Sequence, residues 1–148
     1  MLKQILQEVK EAFDTKFDCK WVDGNVKLDI DGDLIEIIAN EIDKDIIDFS
    51  FLRNGEQIAL NLNKNSFKIL SAVKHCLEEY IRLNNPEFII FTSSDNHSKR
   101  NAIYKRLADH ISVNYKYKLT KVGNFLPKDN DSWILYKHNL DKLLKYID

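Results

Sequence analysis

Glycine is scarce in this chain, with four in 148 residues. A P-loop or a dinucleotide-binding fingerprint needs several glycines at fixed spacing, because the backbone must come close to the phosphates, and neither can be written on this sequence. The four histidines, His75, His97, His110 and His138, are scattered, with no HxxxH or HExxH pair to hold a metal. Cys19 and Cys76 are the only cysteines and lack metal-ligand spacing, so they are expected to stay reduced as packing residues. No apolar run approaches the roughly 20 residues of a membrane span. The start, MLKQILQEVKEAF, alternates polar and apolar residues where a secretion signal would have a continuous apolar core. These absences give the expectation of a cytoplasmic protein with no membrane partner and no metal. Ser93 and Ser94 in FTSSDN lack a Gly-x-Ser-x-Gly elbow, and capping of the next helix by Ser94, Asp95 or Asn96 explains that stretch better than a hydrolase triad.

Hydrophobic residues make up 44% and charged residues 30%, a globular balance, and the length suits one domain over 1–148 that can bury a single core. The net charge of -1 conceals a segregation. Residues 29–48 hold eight acids and one lysine, whereas residues 97–121 hold seven lysines or arginines and one aspartate. Two opposite fields are expected, either as solvated faces or with a site for an anionic ligand or partner on the basic side.

Along the chain, Leu2, Ile5, Leu6, Val9, Ala12 and Phe13 recur at steps of three and four, the mark of an amphipathic helix over 2–13. The period then falls to two. FDCKWV (17–22), VKLDI (26–30), LIEIIA (34–39), IIDFSFL (46–52) and QIALNL (57–62) are expected strands of an antiparallel meander. Turns at Asp23-Gly24, Asp31-Gly32 and Asn54-Gly55 divide them, since glycine takes positive φ cheaply. A helix capped by Asn65 or Ser66 should bury Leu70, Val73, Leu77, Tyr80 and Ile81 and stop at Asn84-Asn85-Pro86. FIIFT (88–92) is apolar on both faces, as a central strand would be. A helix over 97–113 with Ile103, Leu107, Ala108 and Ile111 inward follows, then strands at 115–121 and 132–137. A last short helix, 139–147, should pack Leu140, Leu143, Leu144 and Ile147. The expected architecture is α/β (α+β), a twisted mixed sheet with helices on its faces.

This order of elements, together with RNAIYKRLA (100–108), resembles the GNAT family of N-acetyltransferases across nearly the whole chain. The resemblance implies the GNAT fold and an acetyl-coenzyme A cofactor. It matches Tyr104 to the tyrosine that protonates the departing thiolate of coenzyme A, because a thiolate leaving a tetrahedral intermediate needs a positioned acid. It also implies that the donor lies in a gap between QIALNL and FIIFT, with the backbone of Leu60 and Leu62 facing the pantetheine arm and Lys64, Asn65 and Ser66 facing phosphate. Arg100, a cation one helical turn before Tyr104, completes the cofactor-contacting candidates. For a base, Glu36, Asp48 and Glu56 lie on or beside the bordering strands, and spacing singles out none.

Two stretches depart from the family pattern. The family holds the cofactor pyrophosphate with an Arg/Gln-x-x-Gly-x-Gly/Ala run, whereas NLNKNSFKIL (61–70) has no glycine and its side chains crowd that approach. Arg100 stands where a small alanine is usual, and His97 where an asparagine is usual. The stretch from Ser66 to Ile111 is similar to small acetyltransferase-like proteins of tailed bacteriophages. Two functions follow from these resemblances: a degenerate acetyl-coenzyme A site on a protein that binds a host or virion protein, or an active N-acetyltransferase with Tyr104 as general acid; the phage resemblance makes the expected location the host cytoplasm or the virion. Nucleic acid is disfavoured as a partner, since the pI is near 6.4 and no reading motif is present.

Overall fold

The structure is a computed structural model that describes residues 2–4, 17–56, 64–92, 98–123 and 131–146; the side chains of 64–66, 92, 98–103, 122–123, 131 and 145–146 fall outside that description. Its strands are β1 (Asn25–Ile30), β2 (Asp33–Asp43), β3 (Ile46–Arg53), β4 (Phe88–Thr92), β5 (Lys118–Gly123) and β6 (Asp131–Tyr136). Its helices are α1 (Lys64–Asn84), α2 (Ser98–Tyr115) and a closing 3-10 helix (Asp141–Tyr146). The strands form one mixed sheet in the order β1-β2-β3-β4-β6-β5. The α+β expectation therefore holds at the level of class.

The meander is built by its turn residues. Asp23-Gly24, Asp31-Gly32 and Asn54-Gly55 all take positive φ at both positions, the backbone that lets a two-residue turn match the twist of its strands. Asn54 then ties its turn to the neighbouring one. Its side-chain Oδ1 accepts from the Leu34 N–H at 2.9 Å, its Nδ2 donates to Asp33 at 2.9 Å, and Arg53 donates to the same carboxylate at 2.6 Å. Asn54 and Arg53 together hold the Asp33 carboxyl below the usual carboxylate range.

The chain divides into two compact units, 1–37 with 51–84 and 38–50 with 85–148. In the first, α1 lies against β1 and buries Ile69, Val73, Cys76 and Leu77, with Val26, Ile30, Ile35 and Ile37 as the strand side of the core. The expected stripe on α1 is rotated: Ile69, Ala72 and Cys76 join Val73, Leu77 and Ile81 in the interior, while Leu70 and Tyr80 are half-buried. Asn85 takes φ +47 and Pro86 follows it, which ends α1 where the sequence indicated.

In the second unit the start of β3 pairs parallel with β4, joining Ile46, Ile47 and Asp48 to Phe88, Ile89 and Ile90. β6 is antiparallel to both β4 and β5 along their full lengths. β4 is thus central, and Phe88 through Phe91 are completely buried, as an apolar strand covered on both faces requires. One face carries α2, whose Leu107, Ala108 and Ile111 are buried. The other carries the 3-10 helix, whose Leu143 packs with Ile46, Phe88, Ile90 and Ile134. Tyr117 fastens the start of β5 by donating its hydroxyl to the Pro86 carbonyl at 2.5 Å, and burial pushes that phenol well above its ordinary range.

Several expectations are corrected. Residues 17–21 form no strand, and only Val22 makes an isolated bridge, to Asn25, because the side chains of this segment are engaged with α1 instead. Cys19 and Cys76 are joined in a disulfide, with Cα atoms 5.2 Å apart, contrary to the reduced state expected of them. α2 extends to Tyr115 and Lys116 turns left-handed, so β5 begins at Lys118 instead of Tyr115. Leu144 is exposed, since a 3-10 helix has three residues per turn and presents Leu140 and Leu143 inward together. QIALNL, the bulk of the N-terminal helix and Ile147 lie outside the described residues.

Candidate functional site

The end of β4 organises the candidate site. Strand pleating sends alternate residues to opposite faces, and paired residues share a face. Phe91 therefore lies on the α2 face with Ile89, with Ile47 and Phe49 of β3, and with its β6 partner Trp133. Tyr104 descends from α2 onto this row. Its ring lies 5.8 Å from that of Phe91 at a 34° tilt, and Phe91 in turn meets Phe49 edge-on at 5.6 Å and 73°. Three rings from three elements form one column, a favourable geometry for aromatic quadrupoles. Tyr104 is 1% exposed.

Asp48 belongs to the opposite face. It stands between Ile46 and Ser50 on β3 and is paired with Ile90, in a row otherwise covered by the Leu143 cluster. Burial pushes its carboxyl up from 3.8 to about 6, so near neutral pH it is poised to exchange a proton. Among the three base candidates this sets Asp48 apart. Glu36 is half-buried on β2, and Glu56 is exposed, its backbone bridging to Arg53 across the Asn54-Gly55 turn. An acid at Tyr104 and a base at Asp48 cannot meet on one face. They could serve a common atom only from within the plane of the sheet, beyond the Asp48–Ile90 pair where the described parallel ladder ends.

The remaining candidates are placed as follows. Lys64, Asn65 and Ser66 form the first turn of α1, where helix amides and the positive end of the dipole favour an anion. Arg100 lies in the first turn of α2, four residues before Tyr104 and hence on the same helix face. Leu60 and Leu62 lie outside the described residues. On the side of β4 where QIALNL was expected, the described neighbour is β3, IIDFSFLR.

The basic segment is exposed at Lys105, Arg106, Lys116, Lys118 and Lys121. Lys105 pairs with Asp109 at 2.7 Å, Lys118 donates to the His138 carbonyl at 2.9 Å, and Lys121 sits 5.3 Å over the Trp133 ring. These contacts are at the surface and hold the side chains in place, with the charge of Lys105 offset by Asp109. A hollow of about 430 Å³ between the β2–β3 turn and the 3-10 helix is lined by Asp43, Lys44, Asp45, Ile46, Asp141 and Lys142. Its mixed charges, with Lys142 already bound to Glu87 at 2.8 Å, favour no one ligand.

Sequence reasoning missed the distinction of Asp48 and the pairing of the cysteines. For Asp48 the deciding fact was the pairing of β3 with β4, which the sequence did not indicate. Among the described residues no group of three or more His, Cys, Asp or Glu side chains could hold a metal ion, and no described helix is long and apolar enough to cross a membrane. No protein-family model, curated protein or solved structure matches the chain.

Proposed function

We propose that the chain is an acetyltransferase-like protein of GNAT type whose acetyl-coenzyme A site is degenerate, and that it acts by binding another protein, a host or virion component with an acidic surface. The burial of Tyr104 carries this reading. A general acid must reach the departing sulfur within hydrogen-bond distance, and a phenol 1% exposed beneath a helix, with its ring against Phe91, is engaged as a packing residue. The glycine-free start of α1 supports it further, since NLNKNSFKIL offers no glycine where the family brings bare backbone to the pyrophosphate. The exposed cations of α2 and β5 supply the partner chemistry, because complementary charge accelerates encounter and orients docking.

Two assays test it together. Thiol release from acetyl-coenzyme A over a panel of amines is expected to stay at the spontaneous rate in the native chain. Enzyme-dependent release that drops by about 10²-fold or more in Tyr104→Phe would refute the reading, that being the scale of a lost general acid. Immobilised chain is expected to retain an acidic protein at low salt and to lose it when Arg106 and Lys121 are both changed to Glu.

The raised pKa of Asp48 favours a second reading, an active N-acetyltransferase with Asp48 as base. It requires the reacting atoms to sit between β3 and β4, and the thiol-release assay with Asp48→Asn decides it: this reading needs release in the native chain and its loss in the variant.

A further inference from the structure

Among the described residues, the segment 17–22 is attached in an uncommon way. None of its six residues is buried: Phe17, Cys19 and Trp21 are half-covered and Asp18, Lys20 and Val22 are exposed. A segment without a buried side chain gains little from the hydrophobic effect and should open readily. Yet it is held against α1 at one place by three contacts. Cys19 is bonded to Cys76, the Trp21 indole donates to the Cys76 carbonyl at 3.0 Å, and its ring meets Tyr80 edge-on at 5.0 Å. Cys76 is wholly buried on α1, one turn before Tyr80, whereas Cys19 is half-exposed. The covalent bond thus joins a fixed anchor to a loosely held strap, and Cys19 is its less buried end.

We propose that the Cys19–Cys76 disulfide is a redox-operated latch: oxidised, it clasps segment 17–22 to α1, and reduction by a dithiol releases the segment while α1 and the sheet stay folded. In the chemical step a thiolate of the dithiol attacks Sγ of Cys19, the Cys19–Cys76 bond breaks, and Cys76 leaves and takes up a proton. The second thiol of the reductant then attacks the mixed disulfide, freeing Cys19 as a thiol and closing the reductant into its own disulfide. Two electrons and two protons pass to the protein, and the dithiol is oxidised. Once the bond is gone, one hydrogen bond and one ring contact of Trp21 remain at the clasp, and these are small beside the entropy of ordering six residues.

The latch is tested on the full chain carrying Trp133→Phe, which leaves Trp21 as the only indole, since the chain has two tryptophans. Under native conditions the oxidised chain should titrate no thiol, and after dithiothreitol it should titrate two. Reduction should then shift Trp21 emission to the red and raise the rate of tryptic cleavage after Lys20 by about ten-fold or more, as expected for a closed segment that opens. Far-UV circular dichroism should be retained. Cys19→Ser should show the released behaviour with or without reductant. Thiols titrating before reduction would overturn the proposal, and so would two thiols after reduction with unchanged cleavage and emission. Loss of the circular dichroism signal on reduction would also overturn it, by showing that the bond holds the whole fold and not a latch.

Discussion

Replacing Asp48 with Asn is expected to remove a pH-dependent weakness from the chain. Burial raises the folded-state carboxyl from 3.8 to about 6. A carboxyl raised on folding contributes its full stability below the unfolded value, where both states are protonated, and that contribution is lost as pH rises through the folded value. The window is therefore about pH 4 to 6. The gap between 3.8 and about 6 corresponds to about 3 kcal/mol. Urea unfolding at pH 4, 5, 6 and 7 should show the native chain losing stability relative to Asp48→Asn by about that amount across the window, then running parallel above it. The comparison cancels other groups. Asp33 is held low by Asn54 and Arg53, and Glu79 by Arg82; their contributions are present above the unfolded carboxylate range and are lost as pH falls, in both chains alike. A difference between the two proteins that stays constant from pH 4 to 7 would refute the reasoning, since the Asp48 carboxylate would then be as well hydrated in the sheet as in the unfolded chain.

Three further outcomes are expected from the packing. Tyr104→Ala should cost about 3–5 kcal/mol, because its ring is buried over Phe91; chemical denaturation measures it. Tyr117→Phe removes the donor to the Pro86 carbonyl and should cost about 1–2 kcal/mol in the same assay. Leu143→Ala should cost about 2–5 kcal/mol, since Leu143 is wholly buried against Ile46, Phe88, Ile90 and Ile134; a neutral result would mean that the 3-10 helix does not cover that face.

The sequence displayed the parts of the fold that local chemistry determines. Asp-Gly and Asn-Gly pairs marked three turns, and each takes the positive φ that such pairs permit. FIIFT announced its central place by having no polar face, and Asn85-Pro86 stopped α1 on schedule. What escaped was set by tertiary contact. FDCKWV alternates like a strand, but Cys19 and Trp21 find better partners on α1, and the pairing with Cys76 spans 57 residues that no local pattern connects. Asp48 was one of three candidate bases that spacing could not separate. The sheet order put it beside Ile90, and the closing 3-10 helix dried that face. In the candidate site, Tyr104 on its helix was visible in RNAIYKRLA, whereas its burial against Phe91 was set by the packing of α2 on the sheet.

The most direct measurement is a calorimetric titration of the native, oxidised chain with acetyl-coenzyme A up to millimolar concentration, since a site able to transfer an acetyl group must first hold its donor. Heats that match dilution throughout are the expected result. A saturable heat of one-to-one stoichiometry would contradict it, showing that the glycine-free start of α1 does admit the cofactor and that Tyr104 must be reconsidered as an acid.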